Sequence, residues 1–120
     1  MERQRRAPLY EALLRHVKQR PGNFHVPGHK QGRVFDGEAL HLYESILTID
    51  LTELSPLDDL HDPSGVIAEA QALAAEAFGA DETFFLVGGS TAGNLAAILS
   101  CCRPGDVLLV QRSSHQSVFH

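Results

Sequence analysis

Cysteine and lysine are scarce in this chain, long apolar runs are missing, and positive charge is outnumbered. The two cysteines, Cys101 and Cys102, are neighbours. They lack metal-ligand spacing and are poorly placed to bridge each other, because a disulfide needs separated Cα positions and converging Cβ vectors. Buried free thiols in a reducing compartment are expected instead. No run approaches the length of a membrane span. The charged start, residues 1–6, leads into an amphipathic segment and not into a secretory core. A cytoplasmic protein without a membrane partner is therefore expected. Ten Lys and Arg against fifteen Asp and Glu give a net charge of −5. That balance argues against a nucleic-acid partner and suits a cationic substrate. There are no internal repeats or low-complexity tracts. Hydrophobic residues at 43% and charged residues at 21% exclude disorder as the general state. A length of 120 residues allows one small domain, or part of a larger one.

What is present is organised around residues 84–94, Phe-Phe-Leu-Val-Gly-Gly-Ser-Thr-Ala-Gly-Asn. An apolar run stops at two glycines, and small hydroxyl residues then open an Ala- and Leu-rich stretch. That is the pattern of a buried strand, a tight turn and the start of a helix. Glycine permits positive φ and close approach of a ligand. Unpaired N–H groups at Ser90, Thr91 and Ala92, with the positive end of the helix dipole, favour an anion such as phosphate. The two hydroxyls can bond the same oxygens. The same letters also describe an ordinary strand-to-helix turn in which Ser90 caps the helix. The turn alone leaves both readings open.

Around it, periodicity predicts a helix over 8–20 with an apolar stripe of Leu9, Tyr10, Leu13, Leu14 and Val17, stopped by Pro21-Gly22. Residues 23–62 show little regular periodicity and read as a long irregular arm, with a short strand near 49–54. A second helix is expected over 63–78, capped by Asp62, started by Pro63 and ended by Gly79. Its buried side would carry Val66, Ile67, Ala70, Leu73, Ala74, Ala77 and Phe78. Strands at 83–87 and 107–111 flank a helix at 91–102, which is the βαβ unit of a parallel sheet. The expected organisation is thus an amino-terminal helix and arm over 1–62, then the beginning of an α/β domain over 63–120. Ligands in such sheets bind at the carboxyl ends of strands. Those ends are Gly88 and the run Arg112-Ser113-Ser114-His115, so His115 is placed near the glycine turn.

His115 has the chemistry of a base, a metal ligand or a flat ring stacked on a cofactor, and equally of a loop histidine without a task. His25 and His29 are four apart, but Pro27-Gly28 keeps them off one helix face and nothing nearby completes a metal set. Asp58, Asp59, His61 and Asp62 can hold a hard cation or a substrate ammonium, or form a solvated turn. No metal is expected. The two lysines are Lys18, on the charged side of the first helix, and Lys30, in the Pro27–Gly32 loop. Neither follows the glycine turn, so a Walker loop is excluded.

With these residues in view, the chain resembles the amino-terminal part of the Orn/Lys/Arg decarboxylase family, pyridoxal-phosphate enzymes of aminotransferase-like fold. The resemblance is carried by Phe24-His25-Val26-Pro27-Gly28-His29-Lys30, and by Asp50-Leu51-Thr52-Glu53-Leu54 with Leu57-Asp58-Asp59-Leu60-His61. Gly89-Ser90-Thr91-Ala92-Gly93-Asn94 and Gln111-Arg112-Ser113-Ser114-His115-Gln116-Ser117 complete it. These four blocks in order are more specific than the glycine turn. Two of them depart from the family habit: Gly88-Gly89 stands where Asn-Gly is common, and Ser113-Ser114-His115-Gln116 where Asn-Cys-His-Lys is common.

The resemblance implies an α/β fold: the start of an aspartate-aminotransferase-like major domain, with a mostly parallel sheet and helices on both faces, cut short. It implies that Gly89, Ser90 and Thr91 hold the phosphate of pyridoxal 5'-phosphate and that His115 stacks on its ring. His29, Lys30, Asp58 and Asp59 would line the substrate approach across a homodimer, or within a higher homo-oligomer. The family's Schiff-base lysine lies downstream of the residues present, so the chain is expected to be a fragment or a truncated product, inactive alone. The implied reaction is decarboxylation of lysine, arginine or ornithine to the polyamine-type amine. Transamination or aldol-type cleavage on the same scaffold, or a non-catalytic phosphate-binding or dimerising remnant, are the alternatives.

Overall fold

The computed structural model describes residues 2–119, apart from the side chain of residue 39. Four α-helices form: α1 (Pro8–Lys18), α2 (Gly37–Ile49), α3 (Val66–Phe78) and α4 (Gly89–Cys101), with short 3-10 turns at Arg3–Arg5, Ser55–Leu57 and Gln116–Val118. The chain packs as two units, Met1–Thr83 and Phe84–His120.

In the first unit α1 lies against α3, α2 and the Ser55–Leu57 turn. Pro8 occupies the first turn of α1, where its missing N–H costs nothing. The Glu11 carboxylate reaches back to accept from the Ala7 amide at 3.0 Å and bonds Arg6 at 2.7 Å. The buried line of α1 is Pro8, Ala12 and His16, at i, i+4 and i+8. The expected leucine stripe therefore flanks the contact instead of centring it, and Tyr10 is exposed. A small side chain at Ala12 lets the elements approach closely, and Leu57, Ile67, Leu73 and Ala75 close the core. Arg6 also bonds Glu69 at 2.7 Å, which ties the start of α1 to α3.

Several expectations are corrected here. Residues 37–49 are helical, so the arm is less irregular than expected, and no strand forms near 49–54. The apolar positions of α2 fall on one half of the cylinder, with Glu38, His41, Glu44, Ser45 and Thr48 on the other. That is a helical period, which the expectation of an irregular arm overlooks; Leu42, Tyr43 and Ile46 are nevertheless exposed. The second predicted helix starts at Val66 instead of Pro63, and its far end, Phe78, is exposed instead of buried.

Asp62 does not cap α3; Asp58 does, from outside the helix. Its carboxylate accepts from the amides of Ser64 (3.0 Å), Gly65 (2.8 Å), Ile67 (2.9 Å) and Ala68 (3.3 Å). To do so Asp58 takes φ 73° and ψ 178°, a region nearly reserved for glycine and costing about 1–3 kcal/mol. The Ser64 amide above all, against an opposing desolvation and with help from Gly65, Asp59 and Ile67, holds the carboxyl well below the usual carboxylate range.

In the second unit α4 packs on the Gln116–Val118 turn. Among the described residues no strand forms, so the sheet expected from 83–87 and 107–111 is not seen. A strand satisfies its amides only through a neighbour, and one helix covers only one face of a pair. Val107 and Leu109 accordingly stand 85% and 93% exposed. Cys101 is exposed as well, against the expectation of two buried thiols.

Because the Asp58 carboxyl is held low in the folded state, its stabilisation is present above about pH 4, the ordinary aspartate value, and lost as pH falls below it. Asp58→Ala should destabilise the full-length protein by about 1–2 kcal/mol at neutral pH. The deficit should shrink in acid, and denaturant titrations at neutral and acid pH measure it.

Candidate functional site

The second unit builds its site from the start of α4. Gly88, the residue before the helix, sits so that an added Cβ would meet the Ala92 Cβ at 2.8 Å. Gly89 has φ +67°, and a Cβ there would project into open space in front of the helix. The first requirement is steric and the second conformational, and only Gly-Gly meets both. No side chain caps α4. Among the described residues, the amides of Gly89, Ser90 and Thr91 and the hydroxyls of Ser90 and Thr91 have no hydrogen-bond partner. Ser90 and Thr91 are both exposed. The result is an open set of donors at the positive end of a 13-residue helix. An oxyanion fits this cradle; an internal cap, the alternative reading of Ser90, is not formed.

His115 reaches the same helix through two residues that sequence reasoning did not single out as partners. Asn94 Nδ2 donates to Ser117 Oγ at 2.8 Å, and Ser117 Oγ lies 2.9 Å from His115 Nδ1. The Ser117 amide donates to the same Nδ1 at 3.2 Å, and Ser117 is buried. Asn94 follows Ser90 by four residues and Thr91 by three, which places all three on one helix face. The tie thus sets the His115 loop beside the open donors. An Asn one turn after a hydroxyl pair, with a Ser two residues after the histidine, is the signal that could have found it.

The remaining candidates lie in the first unit. His29 Nε2 is 2.9 Å from Asp50 Oδ2, its Nδ1 accepts from the Gly32 amide at 3.1 Å, and its ring stacks on Phe35. Lys30 donates its ammonium to the His25 carbonyl. Both side chains fasten their own loop, in which Lys30 and Gln31 take left-handed φ of 49° and 57°. Asp58 and Asp59 line an open recess of about 410 Å³ with Glu53 and Asp62. The Asp59 carboxylate accepts from the His61 amide and that of Glu53 from the Leu60 amide. The recess is therefore a shaped, electronegative surface in which the carboxylates of Glu53, Asp58 and Asp59 are already oriented by backbone donors.

The glycine requirement has a direct check. Gly89→Ala forces a side chain into left-handed backbone and should lower stability of the full-length protein by about 1 kcal/mol. Gly28→Ala, at a position with ordinary φ and nothing within 4 Å, should be neutral in the same denaturant titration.

A family model described as the Orn/Lys/Arg decarboxylase major domain matches residues 7–120. The chain is 58% identical over 113 residues to the uncharacterized protein YaaO of Bacillus subtilis (94% of this chain, 24% of the relative). It is 46% identical over 116 residues to an arginine decarboxylase of the same organism (96% and 24%). Over 120 residues it is 37% identical to the lysine decarboxylase LdcA of Pseudomonas aeruginosa (94% and 16%). The chain spans about a quarter or less of the length of these curated relatives. No solved structure matches it. On the extent of the family match and the order of its motifs, the chain belongs to the Orn/Lys/Arg decarboxylase family.

Proposed function

We propose that the protein carrying this chain decarboxylates a basic amino acid with pyridoxal 5'-phosphate, and that this stretch supplies the phosphate anchor and one face of the ring pocket. The observation that carries the reading is the uncapped start of α4. Gly89, Ser90 and Thr91 offer backbone and hydroxyl donors that no protein group occupies, and His115 is tethered to the same helix face. The relatives named as arginine and lysine decarboxylases support the substrate class.

In this reading the amides of Gly89, Ser90 and Thr91 bind a phosphate dianion, with the helix dipole adding to the attraction. The Ser90 and Thr91 hydroxyls donate to its remaining lone pairs. His115 lays a flat ring over one face of the pocket and excludes water from it. When bound, pyridoxal phosphate supplies the electron sink for the pair left behind by the departing carboxylate, while the protein binds and orients it. Lys30, whose ammonium already bonds a backbone carbonyl, is not assigned the covalent attachment. The acidic recess with Asp59 and Asp62 has the charge to attract the substrate's distal cation, and the family resemblance is what assigns the His29–Lys30 loop to the substrate approach. The runs at 83–87 and 107–111 take their places in a mostly parallel sheet with helices on both faces. A homodimer or higher homo-oligomer in the cytoplasm fits the reading, and among the described residues no helix is long and apolar enough to cross a membrane.

The test uses full-length protein. Pyridoxal phosphate should bind with visible absorbance, and CO2 should be released from at least one of arginine, lysine and ornithine. The Ser90→Ala/Thr91→Ala double variant should weaken cofactor binding at least about tenfold, since each bond to a charged oxygen contributes about 1.5–3 kcal/mol. Cofactor binding with amino-group transfer and no CO2 would show another reaction on this scaffold. No cofactor binding would contradict the reading.

A further inference from the structure

The four-group chain that joins α4 to the Gln116–Val118 turn leaves one direction for its protons. Each side-chain link is reversible by itself: an Asn amide can be turned, a hydroxyl can donate or accept, and an imidazole has two neutral tautomers. The Ser117 backbone amide is not reversible. It is a donor, and it faces His115 Nδ1 at 3.2 Å. The amide therefore favours Nδ1 as an acceptor. A hydrogen on Nδ1 would set donor against donor. The Ser117 hydroxyl, 2.9 Å from the same nitrogen, then turns its proton toward Nδ1 as well. That leaves a lone pair of Ser117 Oγ for Asn94 Nδ2 at 2.8 Å. Only this arrangement pairs a donor with an acceptor at every link, the amide and the hydroxyl sharing the single lone pair of Nδ1.

We propose that Ser117, held by Asn94, is a positioning residue that fixes His115 in the tautomer with its hydrogen on Nε2. Ser117 is suited to the task because it is buried, so water does not compete for its oxygen. Asn94 is suited because it shares a helix face with Ser90 and Thr91, so the orientation of the ring is referred to the open donors themselves. The use of that orientation rests on the cofactor reading above. A neutral imidazole offers an electron-rich face to an electron-poor pyridine ring, whereas an imidazolium would repel it when the pyridine nitrogen is protonated. The arrangement also leaves Nε2–H as the only donor on the ring.

The test is nitrogen NMR of full-length protein labelled at histidine, with the His115 signals assigned by their loss in His115→Gln. Without any cofactor present, the wild type and Ser117→Thr should show the Nε2–H tautomer as the dominant form. Ser117→Ala removes the hydroxyl. Asn94→Asp replaces the donor to Oγ by an acceptor, which turns the hydroxyl proton away from Nδ1. Both variants leave the Ser117 amide, the longer contact at 3.2 Å, as the one donor to Nδ1. Nε2–H should therefore stay the major form while the Nδ1–H population rises several-fold, and Ser117→Ala should weaken pyridoxal phosphate binding about tenfold while Ser117→Thr retains it. A dominant Nδ1–H form in the wild type, or ring signals unchanged in both variants, would overturn the proposal. A protein that shows the expected tautomers but binds no cofactor in any form would overturn the cofactor reading and leave this one standing.

Discussion

Two helix starts in this chain face the same electrostatic problem and solve it in opposite ways. The first amides of any helix lack internal acceptors and carry partial positive charge. At α3 the Asp58 carboxylate collects Gly65, Ile67 and Ala68, and accepts a strained backbone conformation in doing so. At α4 nothing is collected: Gly88 and Gly89 stand where a capping side chain would stand, and Ser90 and Thr91 face outward. The contrast assigns one helix start to structure and leaves the other open, as the proposed phosphate anchor requires. Within the second unit, Asn94 and Ser117 tie a histidine to the α4 face that carries Ser90 and Thr91.

The core of the first unit is small and is supplemented by polar ties at the surface, Arg6 to Glu11 and Glu69 among them. The loop bearing His29 and Lys30 is fixed by bonds to Asp50, Gly32 and the His25 carbonyl, so it presents a set shape. The acidic recess is ordered in the same manner, with Glu53 and Asp59 each accepting a backbone amide. Surfaces held this way lose little freedom when a small ligand arrives.

The parts legible in the sequence were those decided within a few residues. Pro8 and Pro21 marked the first helix, Gly79 ended α3 in left-handed geometry, and Gly88-Gly89 with two hydroxyls announced the turn before α4. The parts that were not legible depend on partners far along the chain. Asp58 reaches Ala68 across ten residues, and Asn94 reaches Ser117 across twenty-three. No local pattern records such a pairing. Helix α2 is a different case: Glu38, His41, Glu44, Ser45 and Thr48 recur on one face opposite the apolar positions, so its period was legible and the reading of an irregular arm missed it. The strands did not appear because a strand is a property of two segments, and periodicity describes only one.

The account depends on the amides before and within the first turn of α4 being donors in waiting. Amide hydrogen exchange in the full-length protein, with and without pyridoxal phosphate, tests this most directly. Exchange at Gly89, Ser90 and Thr91 should slow by more than about tenfold on cofactor addition, and exchange at Gly65, Ile67 and Ala68, already held by Asp58, should stay as it was. Protection at all six positions alike, or at none of the first three with cofactor bound, would contradict it.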